Sequence, residues 1–208
     1  MRTNRIESDQ DAHITPDAAI RLDCPAELGH CADRWFRYPL TNCAKGGGPH
    51  VQLVDSAGRP IEGDPIAETG ALLRAGRIVA IEGIGGFQLA CRADSQDAVL
   101  RLRARKRRES KPLAVMVPDL EVARRCGRVD AFNEGLLISP ARPIVLVPER
   151  QSSPLAPAVS SGSPWVGLML PYAPLHHLLF TQGLPPLVMT SGHRRDQPLA
   201  TSRSEAIE

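Results

Sequence analysis

The repeat of apolar and polar positions along the chain changes near residue 61. Residues 1–22 are mixed polar and follow neither a helical nor a strand period, which predicts a flexible leader. Residues 23–50 collect three cysteines and the run Gly46, Gly47, Gly48, Pro49, a loop-rich segment too short to bury a core of its own. Residues 51–54, followed by Ser56, Ala57 and Gly58, read as a short strand and turn, with a domain boundary expected between 60 and 64. From 61 to 208 helical stretches alternate with short, β-branched apolar runs, the pattern of an α/β fold. Asp64 is placed to cap a helix beginning at Pro65, with Ile66 and Leu73 on one face and Gly76 as its stop. A buried strand is predicted over 78–81. Asp94 or Ser95 then opens a second helix that runs through Ala98 and Leu102 into the basic run 103–108. Further strands are predicted over 113–117, 144–147, 166–170 and 187–189, with a short helix over 174–180 and no internal repeat.

A chain of 208 residues accommodates one sizeable domain plus an appendage. Lys and Arg number 25 against 23 Asp and Glu, so a net charge of +2 gives the whole molecule no general attraction to nucleic acid or to an acidic membrane; any basic function must be local. No apolar run approaches the roughly 18 residues of a membrane span, and the first 20 residues lack a secretory apolar stretch, so no membrane association and a cytoplasmic location are expected. Five irregularly spaced cysteines do not read as a disulfide framework.

Two groups of residues could carry chemistry. Lys106, Arg108 and Lys111 stand at a basic helix end and turn before the strand that starts at Leu113, and such cations suit phosphate oxygens. On periodicity alone, a solvated basic helix terminus favoured by the macrodipole is the better account of them. Thr190, Ser191 and Gly192 follow the strand at 187–189, where hydroxyl and backbone donors can face a ligand at a strand's carboxyl end. The glycines at 83, 85 and 86 are spaced G-x-G-G and lack the dinucleotide fingerprint. His176 and His177 are adjacent, so on a helix they project about 100° apart and cannot share a metal; a packed or surface pair is expected. Cys91 and Cys126 read as structural thiols.

The blocks LLRAGRIVAIEGIGGFQLACRA (72–93), LRARKRRESKPLAVMVP (102–118), SPARPIVLV (139–147), VGLMLPYAPLHHLLF (166–180) and PLVMTSG (186–192) resemble, in order and spacing, the YrdC-like domain of HypF-type carbamoyltransferases of hydrogenase maturation. Upstream, ITPDAAI (14–20), DRWFRYPLTNC (33–43) and GPHVQLVDSAG (48–58) resemble pieces of the paired zinc fingers that precede that domain. The resemblance implies a twisted, open, mixed sheet flanked by helices over 61–208, preceded by a loop-rich zinc-finger remnant over 23–60. It also implies ATP, Mg²⁺ and carbamoyl phosphate as ligands, an enzyme-bound carbamoyl adenylate as product, and a HypE-like maturation protein as partner. Lys106, Arg108 and Lys111 match the basic motif that handles the phosphates. Ser139, Thr190 and Ser191 match polar positions of the nucleotide cleft, with Gly192 beside them.

Departures from the family pattern shape further expectations. Glu82 stands at a family Lys, Gln88 at a His, Arg92 at an Asp and His193 at an Asn. A carboxylate close to bound anions is unfavourable by a few kcal/mol, and the four changes together imply weakened or lost activity. Arg21 and Gly46 stand where partners of Cys24 and Cys43 would complete a zinc tetrahedron, so no zinc is expected; Cys24 and Cys43, with His30 and Cys31, are the only ligand candidates left. The acylphosphatase and transfer domains of the family have no counterpart, and the YrdC-like unit is expected to stop early, at 204–208. Besides a degraded copy that keeps the fold without activity, two other readings remain. One is a double-stranded RNA-binding module built on Arg101, Arg103, Arg105, Lys106, Arg107 and Arg108. The other is a threonylcarbamoyl-adenylate synthase, against which the finger blocks and residues 189–192 argue.

Overall fold

The computed structural model describes residues 51–83, 86–108 and 110–192. The leader, the finger ligands Cys24, His30, Cys31 and Cys43, His193 and the segment 204–208 lie outside the described residues. Those from Leu53 onward belong to one compact unit.

Helix α1 (Pro65–Arg74) forms as its punctuation dictates. The Asp64 carboxylate accepts from Ile66 N–H, and Pro65 supplies a preset φ at the first turn. At the other end Gly76 adopts φ +72°, Gly76 N–H donates to Leu73 O and Arg77 N–H to Leu72 O, a Schellman closure. The chain then enters strand β1 (Val79–Gly83), pairs back as β2 (Gly86–Arg92) and continues into helix α2 (Gln96–Lys106). Strand β3 (Ala114–Met116), helices α3 (Leu120–Cys126) and α4 (Ala131–Ile138), strands β4 (Val145–Pro148) and β5 (Trp165–Met169), helix α5 (Pro174–Phe180) and strand β6 (Leu187–Ser191) complete the order. Strand β2 and helices α3 and α4 have no counterpart in the sequence reading. Gly83 and Gly86 pair with each other at the ends of β1 and β2.

The sheet runs β1-β2-β6-β3-β5-β4. Strands β3 and β5 are parallel and every other neighbouring pair is antiparallel, giving the mixed open sheet that was expected. Side chains alternate between two faces. One face carries Cys91, Val115, Val145, Val147, Val166, Leu168 and Val188 against Ala98, Val99 and Leu102 of α2. The opposite face carries Val79, Ile81, Ala90, Met116, Leu187 and Met189 against Leu73 of α1 and Leu179 of α5. Fully buried side chains such as Leu102 and Leu168 each contribute ~1.5–3 kcal/mol through removal of apolar surface from water. Burial pushes the Cys91 thiol up to about 12 and that of Cys126 up to about 11, the inert state expected of structural thiols. Of the histidine pair, His176 is buried and His177 exposed. Among the described residues no helix is long and apolar enough to cross a membrane.

Candidate functional site

Helix α2 determines where the cations stand. Ser95 caps its start, accepting from Ala98 N–H, and Arg107 closes it in the left-handed conformation with φ +49°, its N–H on Ala104 O while Arg108 N–H donates to Arg103 O. This is the same closure that ends α1, made without glycine. The reversal turns Lys106 and Arg108 toward the carboxyl end of β6. The Lys106 ammonium donates to the carbonyl of Ser191. Extending the β3–β6 register, in which Val115 faces Val188, sets Pro112 opposite Ser191. Proline has no N–H to give the neighbouring strand, so a lysine can occupy that carbonyl. Arg108 donates from Nη1 to Thr190 Oγ1 at 3.3 Å and from Nη2 to Pro112 O at 3.0 Å, while its Nε is buried without a hydrogen-bond partner. Gly192 is needed where it stands: its N–H donates to Phe87 O at 2.7 Å, and an added Cβ would lie 2.8 Å from that oxygen.

The electrostatics follow from this crowding. Burial, and then the nearby Arg108 guanidinium, hold the Lys106 ammonium below its ordinary pKa; burial does the same to Arg108. An incoming anion would offset the repulsion between the two cations and compensate by direct attraction for the hydration that burial removes.

The structure thus brings together Lys106, Arg108, Thr190, Ser191 and Gly192. Lys111 is exposed, and its carbonyl accepts from Arg103 Nη1 at 3.1 Å, so it shares the loop. Ser139 is not part of this group: its hydroxyl donates to Leu136 O at 2.7 Å, and it precedes β4, whose start lies at the other end of the sheet from the end of β6. A shallow cavity of about 520 Å³, lined in part by Pro118, Arg142, Leu170 and His177, opens at that other end.

The basic stretch itself needs correction. Arg103 is buried at 6% exposure, with its guanidinium on backbone carbonyls, and Arg101 donates to Gly76 O at 2.7 Å. Residues 101–108 therefore do not make one exposed basic surface. Arg103 falls four positions after Val99 on α2, on the buried stripe, and that spacing was the available signal.

Three of the departures from the family pattern have visible settings. Arg92 makes a bidentate pair with Asp94 at 2.8 and 2.9 Å and donates to Arg74 O at 3.0 Å, holding the end of α1 far from the cation cluster. Gln88, opposite Ser191 on β2, donates to the Tyr172 hydroxyl. Glu82 shares the sheet face of Thr190 but lies two strands and one side-chain repeat away, about 12 Å between Cα atoms from strand spacing and rise. At that separation its repulsion of a bound anion is ~1 kcal/mol or less, further reduced by salt, instead of the few kcal/mol expected at contact.

A family model covering Sua5, YciO and YrdC, described as telomere recombination, matches residues 71–208. The chain belongs to this family. Among curated proteins, the carbamoyltransferase HypF of Rhodobacter capsulatus is 43% identical over 187 residues, covering 89% of this chain and 24% of that protein. A crystal structure of full-length HypF in the phosphate- and nucleotide-bound form superposes with a TM-score of 0.80 at 34% identity, covering 100% of this chain and 26% of that one. The HypF of T. kodakarensis gives a TM-score of 0.81 at 34% identity over 91% of this chain and 25% of its own. The chain is similar to HypF carbamoyltransferases throughout and spans about a quarter of the length of these relatives.

Proposed function

We propose that this chain provides the YrdC-like nucleotide site of a HypF-type carbamoyltransferase, using ATP and carbamoyl phosphate-derived carbamate to make carbamoyl adenylate for hydrogenase maturation with a HypE-like partner. The observation that supports it most is the convergence of Lys106 and Arg108 from the end of α2 onto Ser191 and Thr190 at the end of β6. In the reaction a carbamate oxygen forms a bond to the α-phosphorus while the bond to the β-phosphate bridging oxygen breaks and pyrophosphate leaves. Negative charge gathers on the phosphoryl oxygens, and fixed cations with hydroxyl donors stabilise it. Lys106 and Arg108 supply the charge and Thr190 a hydroxyl, while Ser191 offers its backbone carbonyl to hold Lys106 in place. Among the described residues no group of His, Cys, Asp or Glu could hold a metal, so Mg²⁺ is assigned no protein ligand; it would arrive on the nucleotide phosphates.

Titration calorimetry of the folded chain with ATP and Mg²⁺, with and without carbamoyl phosphate, tests this reading. Micromolar binding that is abolished in a Lys106→Ala, Arg108→Ala variant supports it, and release of pyrophosphate only with carbamoyl phosphate present would establish the chemistry. A folded chain that binds no nucleotide sinks it.

A further inference from the structure

Arg103 is a buried cation whose hydrogen bonds reach two separate stretches of backbone. The residue is 6% exposed, and its guanidinium donates to backbone carbonyls: Nε to Ala158 O at 2.6 Å, Nη2 to Val159 O at 3.1 Å, and Nη1 to Arg108 O at 2.9 Å and Lys111 O at 3.1 Å. Burial, and then the nearby Arg108, pull its pKa down. Removing the guanidinium would leave those carbonyls without this donor, so it holds together the segments that carry them.

The places of these carbonyls show which segments are joined. Arg108 O and Lys111 O bracket the loop that carries the basic motif. Ala158 O and Val159 O belong to a segment already tied down elsewhere: Ala158 N–H donates to Gln96 Oε1 at 3.0 Å, Ala156 N–H to Ala93 O at 2.8 Å, and Val159 O also accepts from Leu113 N–H at 3.0 Å. One guanidinium therefore ties a loop with little secondary structure of its own to an anchored part of the core. Arginine suits this because its donors form a rigid planar fork that spans separate segments, whereas a lysine concentrates its donors on one atom.

We infer that Arg103 is a positioning residue of the cation cluster: it holds the carbonyls of Arg108 and Lys111 so that Arg108 stands against Thr190. The nucleotide part of this inference rests on the proposed function. Arg103 touches no ligand itself; it acts through Arg108.

The test compares the whole chain with its Arg103→Lys variant, which keeps the charge and removes the fork, and with Arg103→Gln should the first not fold. In hydrogen exchange, amides of residues 107–113 are expected to lose at least tenfold protection while those of the β1–β2 pair are unchanged. ATP affinity is expected to fall at least tenfold, and the Arg103→Lys, Arg108→Ala double variant to bind no more weakly than Arg108→Ala alone, because both remove the same contact. Unchanged exchange in residues 107–113, or additive losses in the double variant, would overturn the inference. A wild-type chain that binds no ATP would instead sink the proposed function, and the exchange comparison would still decide the role of Arg103 in holding the loop.

Discussion

Arg108 and Thr190 are 82 residues apart in sequence, yet Nη1 of one lies 3.3 Å from Oγ1 of the other. A bond of that length to a neutral hydroxyl contributes ~1 kcal/mol at most, so the pair is weakly joined and its partners are available to a stronger acceptor. A phosphate oxygen is one, because its negative charge pairs with the guanidinium and takes a shorter bond than the 3.3 Å contact to the hydroxyl. Arg108→Ala is therefore expected to weaken ATP binding at least tenfold, or ~1.4 kcal/mol, while Thr190→Val changes it by less than about threefold. Calorimetric titration of the two variants decides the ranking, and equal losses would show that the hydroxyl matters as much as the charge.

Lys106 should give opposite pH trends for binding and for stability. Its folded-state pKa is lowered by burial and by Arg108, so between that value and the ordinary lysine value the unfolded chain binds more protons than the folded one. Stability contributed by this group therefore rises as pH increases through the window. Anion affinity moves the other way, because a neutral amine no longer attracts phosphate. Titrating inorganic triphosphate from pH 7 to 10, alongside thermal melts, should show affinity falling while the Lys106-dependent part of the melting temperature rises. In Lys106→Met both trends should disappear.

What the sequence made legible, and what it hid, follows from how local each signal is. Helix α1 carries its start at Asp64 and Pro65 and its stop at Gly76 within a dozen residues, and all three act as expected. Strand β2 escaped notice because Gly86, Gln88, Ala90 and Arg92 interrupt the β-branched pattern, although the strand is central enough to pair on both sides. Helices α3 and α4 have side-chain caps at Asp119 and Asp130 but span only 7 and 8 residues, too few to show a helical period. The cation cluster was legible as residue types, through family resemblance. Its geometry was not, because β6 enters between β2 and β3 only when the sheet is assembled.

Helix α2 ends with a left-handed arginine where α1 uses glycine. A side chain at φ +49° costs ~1–2 kcal/mol relative to the right-handed region, and glycine relieves this at an entropic cost of ~0.5–1 kcal/mol in the unfolded chain. Arg107→Gly is thus expected to stabilise the chain by ~0.5–1 kcal/mol, about 1–3 °C in melting temperature. Arg107→Val, β-branched and unable to adopt that conformation easily, should lower it by more. Differential scanning calorimetry of the pair gives the sign directly; a lower melting temperature for Arg107→Gly would mean that the arginine side chain makes a contribution its exposure does not reveal.

His176 is sensitive to acid because it is buried. It is 1% accessible, its ring meets that of Tyr172 edge-on with centroids 4.5 Å apart, and neither nitrogen has a hydrogen-bond partner. Burial, and then neighbouring His177, lower its pKa to about 4 from an ordinary 6.5. The unfolded chain therefore takes up a proton near pH 6.5 that the folded chain refuses until about pH 4. Stability is full above the first value and falls as pH drops through the window, by ~2–3 kcal/mol in total. A phenyl ring at this position can keep the edge-on contact without the two unpartnered nitrogens. His176→Phe is accordingly expected to match or slightly exceed the wild type at pH 7 and to lose less melting temperature between pH 6.5 and 4. The difference between the two melting curves isolates this residue from the carboxylates, which titrate identically in both proteins. Parallel curves would mean that the folded chain admits the proton after all, through a hydrogen-bond partner that its packing does not show.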